Sequence, residues 1–535
     1  MRRWNGWGDE AVEHVLHEGA LAFLAGRLGA GTPFPDATFE AVCAEVPASR
    51  LPPHRLVVTD AATRVRHAHG QSLPDWLRLR YGRVGPVPDG VAYPEGTGDV
   101  RELLDYARAY GIALIIHGGG TSVAGHLSVP DGRAVLAVNM TRMRRLLALD
   151  STAQLATFGA GVLGPDLEAQ LRTHGYVLGH YPQSFEYSTL GGWIATRSSG
   201  QQSLRYGRIE QLFAGGTVET FGGTLRIPAF PASAAGPDLR ELVLGSEGRI
   251  GVITEATVRV SPLPEREAFH AVFFADWEAA IGAARTLAQA QRTTGLSLLR
   301  LSNAVETETM LALAGHARAV GLLQAWLRLR GCGTGKCMLL VGASGSRAQV
   351  RHALRQALAA CRAHGGVHVG SRLGDKWRQG RFRNVYLRNT AWRHGYAIDT
   401  VETAVGWGGV TDMMTAIEAA ARQALGAAGE PLHAYTHLSH VYPQGASVYT
   451  TFVWRLAGDF DADMARWRAV KDAASGAIVD GGGTISHQHG VGTDHAPWLA
   501  AEKGAAGIAA LRAVLTHFDP QGLCNPGKLL MEEGG

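Results

Sequence analysis

The stretch IIHGGGTSVAGH, residues 115–126, constrains this chain more than any other. A β-branched apolar run there meets three successive glycines, followed by Thr121 and Ser122. Glycine weakens both helix and strand, so the backbone has to turn at this point. Without side chains its N–H groups can converge on an anion, and the two hydroxyls add donors. A pyrophosphate fits that chemistry; a tight structural turn is the alternative for such a loop on its own. The stretch lacks the Gly-Lys-Ser/Thr ending of a P-loop, and Rossmann spacing is not what sets it apart.

Flanking patterns predict an α+β fold. DVRELLDYARAYG reads as an amphipathic helix closed by Gly111, IALIIH and AVLAVNM as buried strands, and LGPDLEAQLRTHGY as a second helix. The cluster GPVPDG at 85–90 and the pair Pro262 and Pro264 bound this region, giving a two-part domain over 86–265. Residues 1–85 read as a helical and irregular N-terminal segment. Residues 266–470 twice show a strand followed by a helix and predict a mixed α/β cap domain; 471–535 supply a C-terminal loop and helix. TTG at 293–295 and RLRGCGTGK read as turns.

With 46% hydrophobic and 18% charged residues the chain can bury large cores, which excludes a disordered protein. A net charge of +4 without a Lys/Arg block argues against a nucleic-acid partner. Five scattered cysteines cannot all pair, so a reducing, cytoplasmic location is expected. Cys332 and Cys337 lack the second ligand pair of a zinc site, and no metal is expected. MRRWNGWGDE lacks the apolar core of a signal peptide, and no run reaches the ~18 apolar residues of a membrane span.

Small and hydroxyl residues recur in PQSFEYSTLGGWIATRSSG at 182–200 and LGSEGRIGVITEATV at 244–258. Together with the glycine loop, in this order, they resemble the FAD-binding domain of the vanillyl-alcohol oxidase superfamily. The resemblance implies that Ile116, His117, Gly118, Gly119, Gly120, Thr121 and Ser122 line FAD, with the loop on its pyrophosphate. It extends the lining to Gln183, Ser184, Ser188, Thr189 and Gly192, to Thr196, Arg197, Ser198 and Ser199, and to Glu247, Gly248, Gly251, Val252 and Ile253. Neither His117 nor His126 matches a covalent attachment site, so noncovalent FAD is expected.

SHQHGVG places His487 and His489 two apart, where an extended strand would face both rings the same way. Imidazoles titrate near neutral pH and suit acid/base work; a metal pair or a surface loop is the alternative. Arg388 lies among apolar and aromatic residues, where its guanidinium could grip a phosphate or form an ion pair. Tyr449 in SVYTTFVW reads by default as a sheet-core tyrosine. Within the superfamily, WNGWG at 4–8, NVYLRNTAWRHGYAIDTVETAVGW, SHVYPQGASVYTTF and ISHQHGVG resemble segments of the alkyldihydroxyacetonephosphate synthases. That family resemblance makes Tyr449, Arg388, His487 and His489 catalytic and has Arg300 support the flavin. It implies exchange of the acyl group of acyl-dihydroxyacetone phosphate for a fatty alcohol through a flavin N5 adduct, without net redox. A small-molecule or lipid substrate follows, and the resemblance allows peripheral membrane contact and a homodimer.

The alternative is an FAD-linked D-2-hydroxy acid dehydrogenase, whose members resemble this chain but carry G-H-x-G-D-G-N-x-H and G-E-H-G-x-G metal motifs. Here Tyr449 replaces the second histidine and Gln488 the acid, although His433 and His440 recur at the family's spacing. Gln488 also departs from the synthases' three consecutive histidines. It removes proton transfer at that position and keeps a hydrogen-bonding amide.

Overall fold

The computed structural model describes residues 1–291 and 295–531; Thr293 and Thr294 of the expected TTG turn lie outside them. Three larger sheets organise the α+β chain. The first contains β1 (Val57–Val58), β2 (Gly90–Ala92), β3 (Ala113–His117) and β4 (Val135–Asn139) in the order β1-β2-β4-β3. Strands β2 and β3 both run parallel to β4. In β3, Leu114 joins one apolar cluster and Ala113 and Ile115 another. Both faces of β3 are therefore covered, which is why its sequence is an unbroken apolar run. The helix Thr97–Tyr110 buries Val100, Leu103, Leu104 and Ala107 on one stripe and stops at Gly111, whose φ of 65° is left-handed.

The second sheet is antiparallel: β5 (Leu146–Asp150), β6 (Leu155–Gly159), β8 (Phe213–Thr220), β9 (Gly223–Ile227) and β10 (Val252–Arg259), in the order β5-β6-β10-β8-β9. A short β7 (Tyr176–Val177) pairs separately with β11 (Ser261–Pro262). The third sheet contains β12 (Arg266–Phe274), β13 (Leu296–Ser302), β14 (Cys337–Gly345), β15 (Val367–His368), β16 (Tyr396–Gly406), β17 (His433–Leu438) and β18 (Gly445–Arg455). Its order is β15-β12-β14-β13-β17-β18-β16. Alternation along these strands sends Leu301, Ala434, Val448 and Phe452 into the main core. It leaves Arg300, Thr400, Tyr435, His437, Tyr449 and Thr451 on the wall of a large cavity.

Two elements bear on the expected boundaries at 85 and 470. Val57–Val58 adds a strand to the first sheet by pairing with β2, so residues 1–85 are not only helical and irregular. The helix Phe460–Asp480 runs through position 470. Further on, Leu114 N–H donates to Leu523 and Asn525 N–H to Leu114, both at 2.7 Å, which ties the C-terminal segment to β3. Among the described residues no helix is long and apolar enough to cross a membrane.

Candidate active site

The glycine loop leaves the C-terminal end of β3 and lines a cavity of about 920 Å³. The glycines are required by how closely the chain approaches itself. A Cβ on Gly119 would overlap the Tyr187 carbonyl, and one on Gly118 would overlap Thr189 Oγ1, while Gly120 has φ +63°. Among the described residues, the backbone N–H groups of Gly119, Gly120, Thr121 and Ser122 have no hydrogen-bond partner. Four successive unpaired donors on a cavity wall form an anion cradle, so the residues present fit a pyrophosphate.

Ile116, Gln183, Ser184, Ser188, Thr189, Gly192, Thr196, Ser198, Ser199, Glu247, Gly248, Gly251 and Ile253 line the same cavity. Three expected residues do not. His117 turns its ring away to pack on His67, centroids 4.7 Å apart. Arg197 sits in the left-handed region at a helix end and pairs outward with Glu241 at 2.8 Å. The side chain of Val252 falls on the core face of β10. Missed by sequence, His126 links Ser122 Oγ (2.5 Å) to Glu247 Oε1 (3.0 Å). Burial opposes its charge, but Glu247 outweighs burial and raises its pKa. Glu247 also accepts from the amides of Val491 (2.5 Å) and Gly492 (2.9 Å), fastening these cavity-lining loops to the C-terminal loop.

The opposite wall carries the titratable groups. Arg388 lies in the helix Leu387–Arg393, its guanidinium 4.4 Å above the Trp76 ring. Its Nη1 donates to the Gln71 carbonyl at 2.7 Å, whereas Nε and Nη2 are buried without a partner among the described residues. Two unpaired nitrogens on a buried cation are expensive unless an anion meets them. The N-terminal WNGWG segment braces this helix: Asn389 Nδ2 donates to the Trp7 carbonyl at 2.9 Å, and Trp7 N–H donates back to Asn389 at 3.1 Å.

Tyr449 and Glu402 face each other across β18 and β16. Tyr449 Oη donates to Thr400 Oγ1 at 3.2 Å, and burial pushes the phenol up to about 12. The Glu402 carboxylate gathers the backbone N–H groups of His487 (3.0 Å), Gln488 (2.9 Å) and His489 (3.0 Å) together with Ser486 Oγ (2.9 Å). Burial alone would raise its pKa, but the two histidines and these donors hold it well below the usual carboxylate range.

Curling three successive amides onto one carboxylate overturns the expectation that His487 and His489 point the same way, because residues 487–489 form bends rather than a strand. His489 lines the cavity beside Tyr449, ring centroids 5.5 Å apart. His487 does not line it; its Nε2 meets Arg208 Nη1 and Tyr442 Oη, each at 2.6 Å. Arg208 can only donate, so the His487 proton sits on Nδ1, 3.4 Å from Glu402. His433 bonds Thr309 at 2.9 Å and His440 bonds the Gly200 carbonyl at 3.1 Å, both away from the cavity. Among the described residues no group of three or more His, Cys, Asp or Glu is placed to hold a metal ion.

Arg300 lines the cavity and pairs with buried Glu306 at 2.8 Å. Beyond it Met310, Leu311, Leu313, Leu373, Trp377 and Leu387 make an apolar wall.

The chain matches two families: FAD binding domain over residues 88–227, and FAD linked oxidases, C-terminal domain, over 263–529. It is 31% identical to an alkyldihydroxyacetonephosphate synthase of Trypanosoma brucei brucei, over 88% of this chain and 78% of that protein. It is 30% identical to one of Dictyostelium discoideum over the same shares. A solved alkyldihydroxyacetonephosphate synthase structure superposes with a TM-score of 0.83 and 25% identity, covering 98% of both chains.

Proposed function

Because this chain belongs to the alkyldihydroxyacetonephosphate synthase family, we propose that it uses FAD to exchange the acyl group of acyl-dihydroxyacetone phosphate for a long-chain alcohol, a step of ether lipid synthesis. The observation that carries this reading is one cavity in which an anion cradle, a buried guanidinium with two nitrogens unpartnered among the described residues, and an apolar wall meet. The loops at 116–122, 183–189, 196–199 and 247–253 would hold FAD noncovalently, since His117 faces His67 and His126 is occupied by Ser122 and Glu247. Bound there, FAD supplies an electron sink for the reacting carbon.

The chain's own residues do the rest. Arg388 offers Nε and Nη2 as a fork to the substrate phosphate. Burial lowers the pKa of His489, so its imidazole is neutral near pH 7 and accepts a proton from the substrate carbon. Tyr449, kept protonated, turns its one O–H from Thr400 to a substrate oxygen. Gln488 lines the cavity with a buried Oε1 that has no partner among the described residues, which suits it to positioning rather than proton transfer. The apolar wall receives the acyl or alkyl chain.

A lipid substrate extends the reading to peripheral membrane contact through the helix Ala317–Leu329, where Leu322 is 75% and Leu329 86% exposed; vesicle flotation tests it. Five free cysteines favour a reducing, cytoplasmic location. The homodimer expected from the family is read by light scattering. For the reaction itself, acyl-dihydroxyacetone phosphate with a labelled fatty alcohol, run beside D-2-hydroxy acids with an artificial acceptor, decides. Ether product without acceptor reduction is expected; acceptor reduction without ether would overturn the proposal and make Arg388 a carboxylate clamp.

A further inference from the structure

One imidazole on the cavity wall has no role so far. His437 lies in β17, opposite Tyr449 of β18 on one side and Ser302 of β13 on the other. Residues opposite each other in an antiparallel pair share a face, so the rings of His437 and Tyr449 stack, centroids 4.8 Å apart and 20° between planes. His437 Nδ1 is 2.9 Å from Glu306 Oε1, on the helix Ala304–Leu313. Burial alone would raise the pKa of Glu306, but Arg300 and His437 bring it down to about 2. A carboxylate can only accept, so the imidazole proton sits on Nδ1 and the lone pair on Nε2. That Nε2 has no partner among the described residues, and the side chain lines the cavity. Burial and Arg300 also lower the His437 pKa, leaving the ring neutral near pH 7.

Tyr449 is thus flanked by two imidazoles, His489 at its edge and His437 on its face. The exchange proposed above requires two proton removals, one from carbon, returned to that carbon before the product leaves, and one from the incoming alcohol. Met310, Leu311 and Leu313, from the helix that carries Glu306, line the same cavity and offer an alkyl chain an apolar bed.

We propose that His437, oriented by Glu306, is a second catalytic base that takes the hydroxyl proton of the incoming alcohol. This rests on the acyl-for-alkyl reading. The fatty acid leaves as a carboxylate with the electron pair of its C–O bond. The alcohol O–H breaks, its proton goes to His437 Nε2, and its oxygen bonds the substrate carbon in the acyl oxygen's place. No electrons are gained or lost overall. The imidazolium is paired with Glu306 until it passes the proton to water, the arrangement of a carboxylate-oriented histidine.

The test separates the half-reactions. With acyl-labelled substrate and no alcohol, His437→Gln releases labelled fatty acid in a single turnover within about threefold of wild type. With hexadecanol it forms ether at least about a hundredfold more slowly. FAD content and the flavin's visible circular dichroism stay as in wild type, which a structural defect would not leave unmoved. His437→Phe keeps a ring on Tyr449 and serves if the glutamine variant does not fold. Equal loss in both half-reactions, or undiminished ether formation, overturns the proposal. A wild-type protein that neither releases fatty acid nor makes ether refutes the acyl-for-alkyl reading itself, and the role of His437 with it.

Discussion

Replacing Arg388 by lysine keeps the positive charge and removes the fork. In the structure one N–H is spent on the Gln71 carbonyl, while Nε and Nη2 are buried and free. A lysine ammonium on a flexible stem can serve the carbonyl or the phosphate but cannot reproduce two parallel donors held flat against Trp76. Loss of one charge-assisted hydrogen bond costs about 1.5–3 kcal/mol. At about 1.4 kcal/mol per tenfold, substrate affinity falls on the order of 10- to 150-fold. Because phosphate sits away from the bonds that change, ground state and transition state lose equally, so KM rises while kcat stays within about threefold. The assay is steady-state ether formation with acyl-dihydroxyacetone phosphate varied at saturating hexadecanol, with FAD content confirmed by absorbance. A kcat loss at unchanged KM would refute the reasoning and move Arg388 to the reacting atoms; no change in either would remove it from the site.

Acid precipitation should release the flavin into the supernatant, and Gly119→Ala, which drives a methyl into the Tyr187 carbonyl, should purify without it. Tyr449→Phe and His489→Ala should lower kcat by roughly 10²–10⁴ with normal FAD content, measured by turnover against flavin absorbance. Elemental analysis of dialysed protein should find far less than one divalent ion per chain, and a stoichiometric metal needed for activity would favour hydroxy-acid oxidation. The pKa of Glu306 is held at about 2 against an ordinary 4.5, so its stabilisation is present above pH 4.5 and lost as pH falls toward 2. At about 1.4 kcal/mol per pH unit that is about 3 kcal/mol. Denaturant titrations at pH 7 and pH 3 should show Glu306→Gln less stable at pH 7 and losing less on acidification than wild type.

The anion cradle was legible in sequence because it is local. Three glycines and two hydroxyls after a buried strand determine a turn rich in free N–H groups, wherever the rest of the chain goes. The strand and helix patterns around it reflect periodicity and caps, and they give the α+β class. Side chains that act through distant partners could not be read this way. Glu402 collects amides 85 to 87 residues further along the chain, and that gathering, absent from any spacing rule, turns His487 toward Arg208 while His489 faces the cavity. His437 looks in sequence like one of several histidines in HAYTHLSH. It stands against Tyr449 only because β17 pairs with β18 in one register, and it carries its proton on Nδ1 only because a helix 131 residues earlier supplies Glu306. A one-residue slip in that register would turn His437 to the core face. Sequence determined the chemistry available to this protein; strand register and the packing of remote elements decided which groups face one another, because a side chain's pKa, tautomer and direction are set by neighbours that the chain order does not reveal.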